Sequence, residues 1–154
     1  MDILQEIKSE HDEFRKLILK IEKASSQKKK SLFAELNVKI HGHHEAEEKI
    51  LFKDVKSRSE DEGKDVVLEM IEEHNLATYQ LSLLDRTSTE NETWDAKFSV
   101  LKEVLTHHMD EEEAELFKQA RQVLSKEELK EKYQYFEDIN EEEKRKFENK
   151  IKDK

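Results

Sequence analysis

The sequence predicts an all-α protein, an up-down-up-down four-helix bundle with a short helical C-terminal extension. The 154-residue chain contains no proline and only two glycines, so it has few of the residues that form the turns between strands in a sheet protein. Only 34% of the residues are hydrophobic, but they recur at steps of three and four along the chain. This spacing is typical of amphipathic helices that bury one face.

Four periodic stretches follow one another, and the polar connections between them have the length expected between antiparallel helices. They predict helices over residues 2–23, 31–56, 64–85 and 93–124. The expected buried positions are Ile3, Ile7, His11, Phe14, Ile18 and Ile21; Phe33, Leu36, Ile40, His43, Glu47 and Ile50; Val67, Met70, His74, Ala77, Leu81 and Leu84; and Phe98, Leu101, Leu105, His108, Glu112 and Leu116.

Residues 125–154 are predicted to form a helical extension to a bundle of residues 1–124. Ser125 and Glu128 have the spacing of a capping box, which starts a new helix. A last segment, residues 140–154, carries few apolar residues among many charges and is expected to pack on the bundle or fray. No chemistry is predicted for this extension.

Histidines and glutamates occupy seam positions where apolar residues are expected. In the second helix, His43 and Glu47 lie one turn apart and therefore point the same way. The fourth helix repeats this pair as His108 and Glu112. Buried polar groups are costly unless something satisfies them, and a metal ion would satisfy these. The predicted metal ligands are His11, His43, Glu47, His74, His108 and Glu112.

An internal repeat supports this ligand set. A shift of 65 residues places the second helix on the fourth, and a shift of 63 places the first on the third. The His43–Glu47 pair then matches its counterpart in the fourth helix, whereas His44 matches Met109. The histidines interpreted as flanking residues on this ground are His41, His44 and His107.

Composition excludes several classes of protein. The chain has no cysteine, so disulfides, thiolate zinc sites, cysteine-ligated iron–sulfur clusters and thiolate nucleophiles are excluded. A net charge of −10 argues against nucleic-acid binding and against anionic lipid surfaces. No apolar run approaches the roughly 18 residues of a membrane span. The opening residues form an amphipathic pattern rather than a signal peptide, which predicts a cytoplasmic location.

The donor atoms restrict the metal. Six nitrogen and oxygen ligands are too many for a closed tetrahedral zinc site, and four imidazoles are too many for calcium or magnesium. Imidazole with carboxylate suits iron, with manganese or zinc as possible substitutes. Two carboxylates could bridge two metal ions and leave positions open for a solvent bridge and a small ligand. A ferritin-like site is excluded because it needs Glu-x-x-His pairs, which the sequence lacks.

The ordered motifs resemble the hemerythrin-like (HHE cation-binding) family over about residues 1–124. The resemblance implies an up-down bundle that holds a non-haem, oxo- or hydroxo-bridged diiron centre with two bridging carboxylates and terminal histidines. It also implies interaction with O₂, peroxide or nitric oxide, or iron handling. The strings that carry the resemblance are Glu10-His11; His43 with Glu47-Glu48 and Leu51-Phe52; Glu73-His74; and His108 with Glu112-Glu113 and Leu116-Phe117.

Two positions depart from the family pattern. Oxygen-carrying hemerythrins have a second histidine one turn after the ligand of the third helix, where this chain has Thr78. One iron would then be less saturated, which favours a reactive or sensing site over reversible O₂ carriage. Family members also often have proline after the Leu-Phe string, where this chain has Lys53 and Lys118.

Three functions from different classes follow from these patterns. The first is a diiron protein that binds, senses or reacts with a diatomic gas or peroxide. The second is an iron-binding module that stores, donates or senses iron without turnover. The third is a structural or partner-binding bundle, which would leave the histidines and glutamates of the seams without an explanation.

Overall fold

The structure, a computed structural model, describes residues 1–152 and is helical throughout this range apart from short connections. We number five helices. They are α1 (Ile3–Lys23); α2, built from Ser26–Ala46, a π-helical segment Glu47–Phe52 and Lys53–Arg58; α3 (Asp61–Asp85); α4, built from Trp94–Glu111, a π-helical segment Glu112–Leu116 and Phe117–Val123; and α5 (Lys126–Lys152).

Helices α1 to α4 form the predicted up-down-up-down bundle, and α5 is the predicted C-terminal helical addition. Each helix of the bundle packs on its neighbours in the chain, and α1 closes the bundle against α4. Helix α5 lies mainly on α2 and also on α1. Within the described 152 residues, none of the helices has the length and apolarity required to cross a bilayer.

The second helix begins earlier than the sequence predicts. It starts at Ser26 rather than at residue 31, because the Ser25 side chain accepts a hydrogen bond from the Lys28 backbone N–H and caps the helix. Residues 26–30, predicted to lie in a connection, therefore belong to the N-terminal part of α2. The polar composition of this segment is typical of a connection, so the sequence pattern did not indicate the cap.

The C-terminal residues form one continuous helix rather than a helix followed by a separate segment. The predicted capping box is present, since the Glu128 N–H donates to Ser125 Oγ and the Ser125 N–H donates to Glu128 Oε1. From there α5 extends over 27 residues to Lys152. Its polar anchors to α2 include ion pairs from Glu128 to Arg58, from Lys132 to Asp54 and from Glu143 to Lys49. The last two residues of the predicted final segment lie outside the described residues.

The predicted seams are confirmed. Of the 24 seam positions, Ile50 is partly buried and the others are buried. The apolar side chains form two clusters, one toward each end of the bundle. The cluster at one end includes Ile7, Leu51 and Met70, and the cluster at the other includes Phe14 and Ile40. A layer of buried histidine and glutamate side chains lies between the two clusters.

Gly42 permits the close approach of α5 to α2. A Cβ atom at this position would lie 2.6 Å from Asn140 Oδ1 and 2.8 Å from the Asn140 carbonyl oxygen. Those distances are shorter than van der Waals contact, and one of the atoms belongs to the backbone. The absence of a side chain at Gly42 therefore fixes how closely α5 packs.

We predict that Gly42→Ala destabilises the protein, although alanine is the better helix former by about 1 kcal/mol. Overpacking against the α5 backbone costs about 1–3 kcal/mol and outweighs that gain. Thermal unfolding followed by circular dichroism measures the change. Ser99→Ala, at an exposed position of α4, is the control and should leave the melting temperature unchanged or slightly higher. A Gly42→Ala protein that melts above the wild type would contradict the packing argument.

Candidate metal centre

The six predicted ligands meet in the polar layer at the middle of the bundle. One histidine comes from each of α1 to α4, and each glutamate begins a π-helical segment of α2 or α4. All six side chains are at most 2% exposed. The structure thus brings together His11, His43, Glu47, His74, His108 and Glu112.

The potential ligand atoms approach one another closely. Nε2 of His74 lies 3.1 Å from Nε2 of His108 and 3.3 Å from Glu47 Oε1. On the other side, His43 Nε2 lies 3.2 Å from Glu47 Oε1. Two donor atoms that bind one ion at about 2.1 Å and at right angles are about 3 Å apart. The spacing therefore fits donors that share an ion.

Two groups of four residues could each hold a metal ion, because their donor atoms lie within 4.8 Å of one another. Glu47 belongs to both groups, so its carboxylate lies between the two positions. The first group is His11, His43, Glu47 and Glu112, and the second is His44, Glu47, His74 and His108.

His44 enters the centre although the repeat analysis placed it among flanking residues. It is buried, and its ring stacks on that of His74 with the centroids 3.6 Å apart and the planes 10° apart. Its counterpart in the repeat, Met109, is also buried. The two halves of the bundle therefore differ at this position, and a comparison restricted to shared residues could not find His44.

Four carboxylates hold the outer nitrogens of the four seam histidines. In each pair the histidine Nδ1 lies within 2.9 Å of a glutamate oxygen. When the glutamate is ionised and the imidazole is neutral, Nδ1–H donates to the carboxylate and the lone pair of Nε2 points toward the centre. The pairs are His11 with Glu113, His43 with Glu10, His74 with Glu48, and His108 with Glu73.

These outer glutamates follow the internal repeat. Glu10 and Glu73 each precede a seam histidine, whereas Glu48 and Glu113 each follow a seam glutamate. The Glu-His and Glu-Glu strings of the sequence thus supply both the centre and its outer partners. The strings are recognisable in the sequence, but the role of these four glutamates as partners of Nδ1 was not predicted from them.

The remaining histidines lie farther out. His107 is 68% exposed, and its Nε2 pairs with Glu111 at 2.7 Å. His41 stacks on Phe147 of α5 with the ring centroids 4.1 Å apart. These two positions agree with their interpretation as flanking residues.

The centre contains buried polar atoms that lack hydrogen bonds within residues 1–152. They are His43 Nε2 and all four carboxylate oxygens of Glu47 and Glu112. The facing Nε2 atoms of His74 and His108 are both lone-pair donors when each Nδ1 holds the proton. Such an arrangement is unfavourable without a cation between the donors. The residues present therefore fit a metal site.

Burial and neighbouring charge shift the protonation of the metal-free centre. Burial raises the pKa of Glu47 well above its ordinary value, and the charge of Glu112 raises it further. Burial and the neighbouring histidines hold the pKa of His44 and of His74 well below the ordinary value. His44 and His74 are therefore neutral at pH 7, the state in which an imidazole binds a metal ion.

A cavity of about 530 Å³ reaches the centre from the surface between α2, α3 and α5. His44 and His74 contribute to its lining. Thr78, which occupies the position of the absent histidine, borders the same cavity. A small molecule in this cavity would therefore lie beside two side chains of the second group of donors.

The fold and the buried His/Glu layer define a helical-bundle protein with a candidate metal centre, and comparison with known families agrees. The model of the hemerythrin HHE cation binding domain matches residues 2–120. The chain therefore belongs to the hemerythrin HHE cation-binding family.

A solved structure shows the same fold. It is the crystal structure of a hemerythrin HHE cation binding domain-containing protein from Mycobacterium kansasii, with a TM-score of 0.84 and 22% identity. The similarity covers 99% of this chain and 93% of the mycobacterial one. It therefore includes α5, which lies beyond the matched residues of the family model. No curated protein matches the chain.

We predict that Glu47→Gln stabilises the metal-free protein at pH 7 by about 1–3 kcal/mol, because it removes a buried carboxylate without a partner. The pKa of Glu47 is higher in the folded state, so the favourable contribution of its neutral form is present below pH 4.5 and is lost as the pH rises. The increase in the free energy of unfolding that Glu47→Gln causes should therefore be larger at pH 7 than at pH 4.5.

Urea unfolding of chelator-treated protein at the two pH values measures this difference. Glu103→Gln, an exposed substitution on α4, is the control and should leave the free energy of unfolding unchanged at both. Destabilisation by Glu47→Gln at pH 7 would show that the carboxylate has a stabilising partner in the metal-free protein.

Proposed function

We propose that the protein holds a non-haem diiron centre and binds, senses or reacts with O₂, peroxide or nitric oxide there. The ligands in this proposal are His11, His43, Glu47, His74, His108 and Glu112. The observation that carries it is the convergence of histidine Nε2 atoms and of carboxylates without hydrogen-bond partners between two apolar clusters. Manganese or zinc could replace iron with the same donors.

The glutamates are proposed to connect the two metal positions. Glu47 belongs to both groups of donors, which supports a bridging role. Its repeat counterpart Glu112 lies 2.9 Å from His11 Nε2 and is proposed as the second bridge. The outer carboxylates keep the imidazoles oriented and their Nε2 atoms available.

A bound pair of iron ions would supply electrons and open coordination positions for a small ligand. The chain's own contribution is to exclude bulk water through its apolar clusters and to admit a small molecule through the cavity beside Thr78. The second candidate function, iron storage or donation, uses the same ligands but requires no ligand access. The cavity favours the first.

Metal content tests the proposal. After anaerobic reconstitution with Fe(II) and desalting, we expect about two irons per chain, and a higher melting temperature than that of the metal-free protein. Addition of azide, peroxide or nitric oxide should then produce new absorption bands. Bound iron that is easily chelated and gives no ligand-dependent bands would favour storage or donation. An iron content near zero would overturn both functions.

We predict that His43→Ala and His108→Ala each lower the iron content strongly, because each removes a donor from one group and leaves a buried gap. His107→Ala is the matched control, since it removes an adjacent histidine that is 68% exposed. Iron analysis by a colorimetric chelator, with circular dichroism to verify folding, measures the effect. Equal losses in His107→Ala and His108→Ala would refute the proposed ligand set.

A further inference from the structure

The C-terminal helix contacts the outer partner of one seam histidine. Asn140 of α5 is 2% exposed, and its Nδ2 lies 3.0 and 3.1 Å from the two carboxylate oxygens of Glu10. Glu10 Oε1 in turn lies 2.9 Å from His43 Nδ1. A continuous chain of hydrogen bonds thus runs from α5 to an imidazole of the candidate metal centre.

Helix α5 also contacts the His43 ring directly. The fully buried Phe136 lies edge-on to it, with the ring centroids 5.7 Å apart and the planes at 88°. Gly42, immediately before His43, allows this close packing of α5. The imidazole is therefore restrained by α5 both at its face and, through Glu10, at Nδ1.

Glu10 needs this restraint because two other carboxylates face it. Glu6 on α1 and Glu137 on α5 each place an oxygen within 4.8 Å of it. When these carboxylates are ionised, the repulsion between like charges at this distance opposes the bonded position of the Glu10 side chain. The neutral amide of Asn140 donates to both oxygens and keeps the carboxylate directed at His43.

Two of the other outer glutamates have a further partner within the bundle itself. Glu113 pairs with Arg15 of α1 at 2.9 Å, and Glu73 lies 3.6 Å from His107 of α4. Among these four outer glutamates, Glu10 is the one that forms a hydrogen bond with a residue of α5 within residues 1–152.

We propose that Asn140 is a positioning residue of the metal centre, through which α5 orients Glu10 and thereby His43. The proposal rests on the proposed metal-binding function. It assigns to α5, which lies outside residues 2–120, a role in the half of the centre formed by His11 and His43. The other half, whose proposed histidine ligands are His74 and His108, has no such contact with Asn140 and should keep its iron in the tests below.

Asn140→Leu tests the assignment, since leucine has a similar size and no donor. Loss of an outer-shell partner of a metal ligand costs about 10–100-fold in affinity, and Asn140 lies one contact farther out, so we expect iron release to a chelator to accelerate by about 3–10-fold. The acceleration should affect one of two kinetic phases. In ⁵⁷Fe Mössbauer spectra, one quadrupole doublet should shift and the other remain.

The matched control is Glu143→Gln, one turn along α5. Glu143 is 8% exposed and anchors α5 to α2 through Lys49 at 2.8 Å, without contacting Glu10. This variant should release iron as the wild type does. Asn140→Asp, which keeps the size but faces Glu10 with a carboxylate, should behave like Asn140→Leu and provides a second variant if leucine impairs folding.

A double-mutant cycle with Glu10→Gln tests the route. If Asn140 acts through Glu10, Asn140→Leu adds little to the effect of Glu10→Gln, whereas independent effects multiply. Multiplying effects, equal acceleration of both phases, or an equal effect of Glu143→Gln would overturn the proposal. If wild type takes up two irons and both Asn140 variants match it, the positioning role alone fails. If wild type takes up none, the proposed function fails with it.

Discussion

The desolvation of two glutamates at the centre of an apolar bundle is the constraint on which the rest of the structure depends. Glu47 and Glu112 are fully buried, and their oxygens have no hydrogen-bond partners within residues 1–152. A group in this position costs several kcal/mol unless a cation or a proton compensates it. The split of the core into two apolar clusters and the ring of histidines follow from the need to surround these carboxylates with donors.

The four outer glutamates explain how the buried polar layer, which is costly to desolvate, becomes ordered. The carboxylate of each outer glutamate lies nearer the surface than its histidine partner. The carboxylate is therefore partly solvated, while the Nε2 atom of the histidine remains in the buried centre. The four histidine–glutamate pairs follow the internal repeat, whereas the residues around them differ between the two halves of the bundle. Arg15 pairs with the carboxylate of Glu113, whereas Asn140 donates to that of Glu10. His44 occupies the position that Met109 has in the repeat. The ligand frame is symmetric, and its environment is specific to each half.

Periodicity predicted the bundle, the seam residues and the convergence of the six side chains, because each depends on which face of a helix a residue occupies. It could not predict His44, since its ring reaches the centre from beside the seam and has no counterpart in the repeat. Nor could it predict Asn140, whose contact with Glu10 joins residues 130 positions apart in the chain. The predicted start of α2 was wrong because the Ser25 side chain caps a helix within a segment whose polar composition is typical of a connection. Caps, stacking and long-range contacts depend on three-dimensional packing that no spacing rule describes.

The π-helical segments explain an anomaly in the seams themselves. After His43 and after His108 one series of buried positions advances by four residues at every step, to Val55 in α2 and to Leu124, which directly follows α4. Four residues of a regular α-helix turn about 40° more than one revolution, so such a series would spiral away from the core. A π turn contains more residues and reverses this drift. Each segment begins at a buried glutamate and therefore corrects the phase of its helix there, so that one helix can present both a metal-ligand layer and the apolar contacts beyond it.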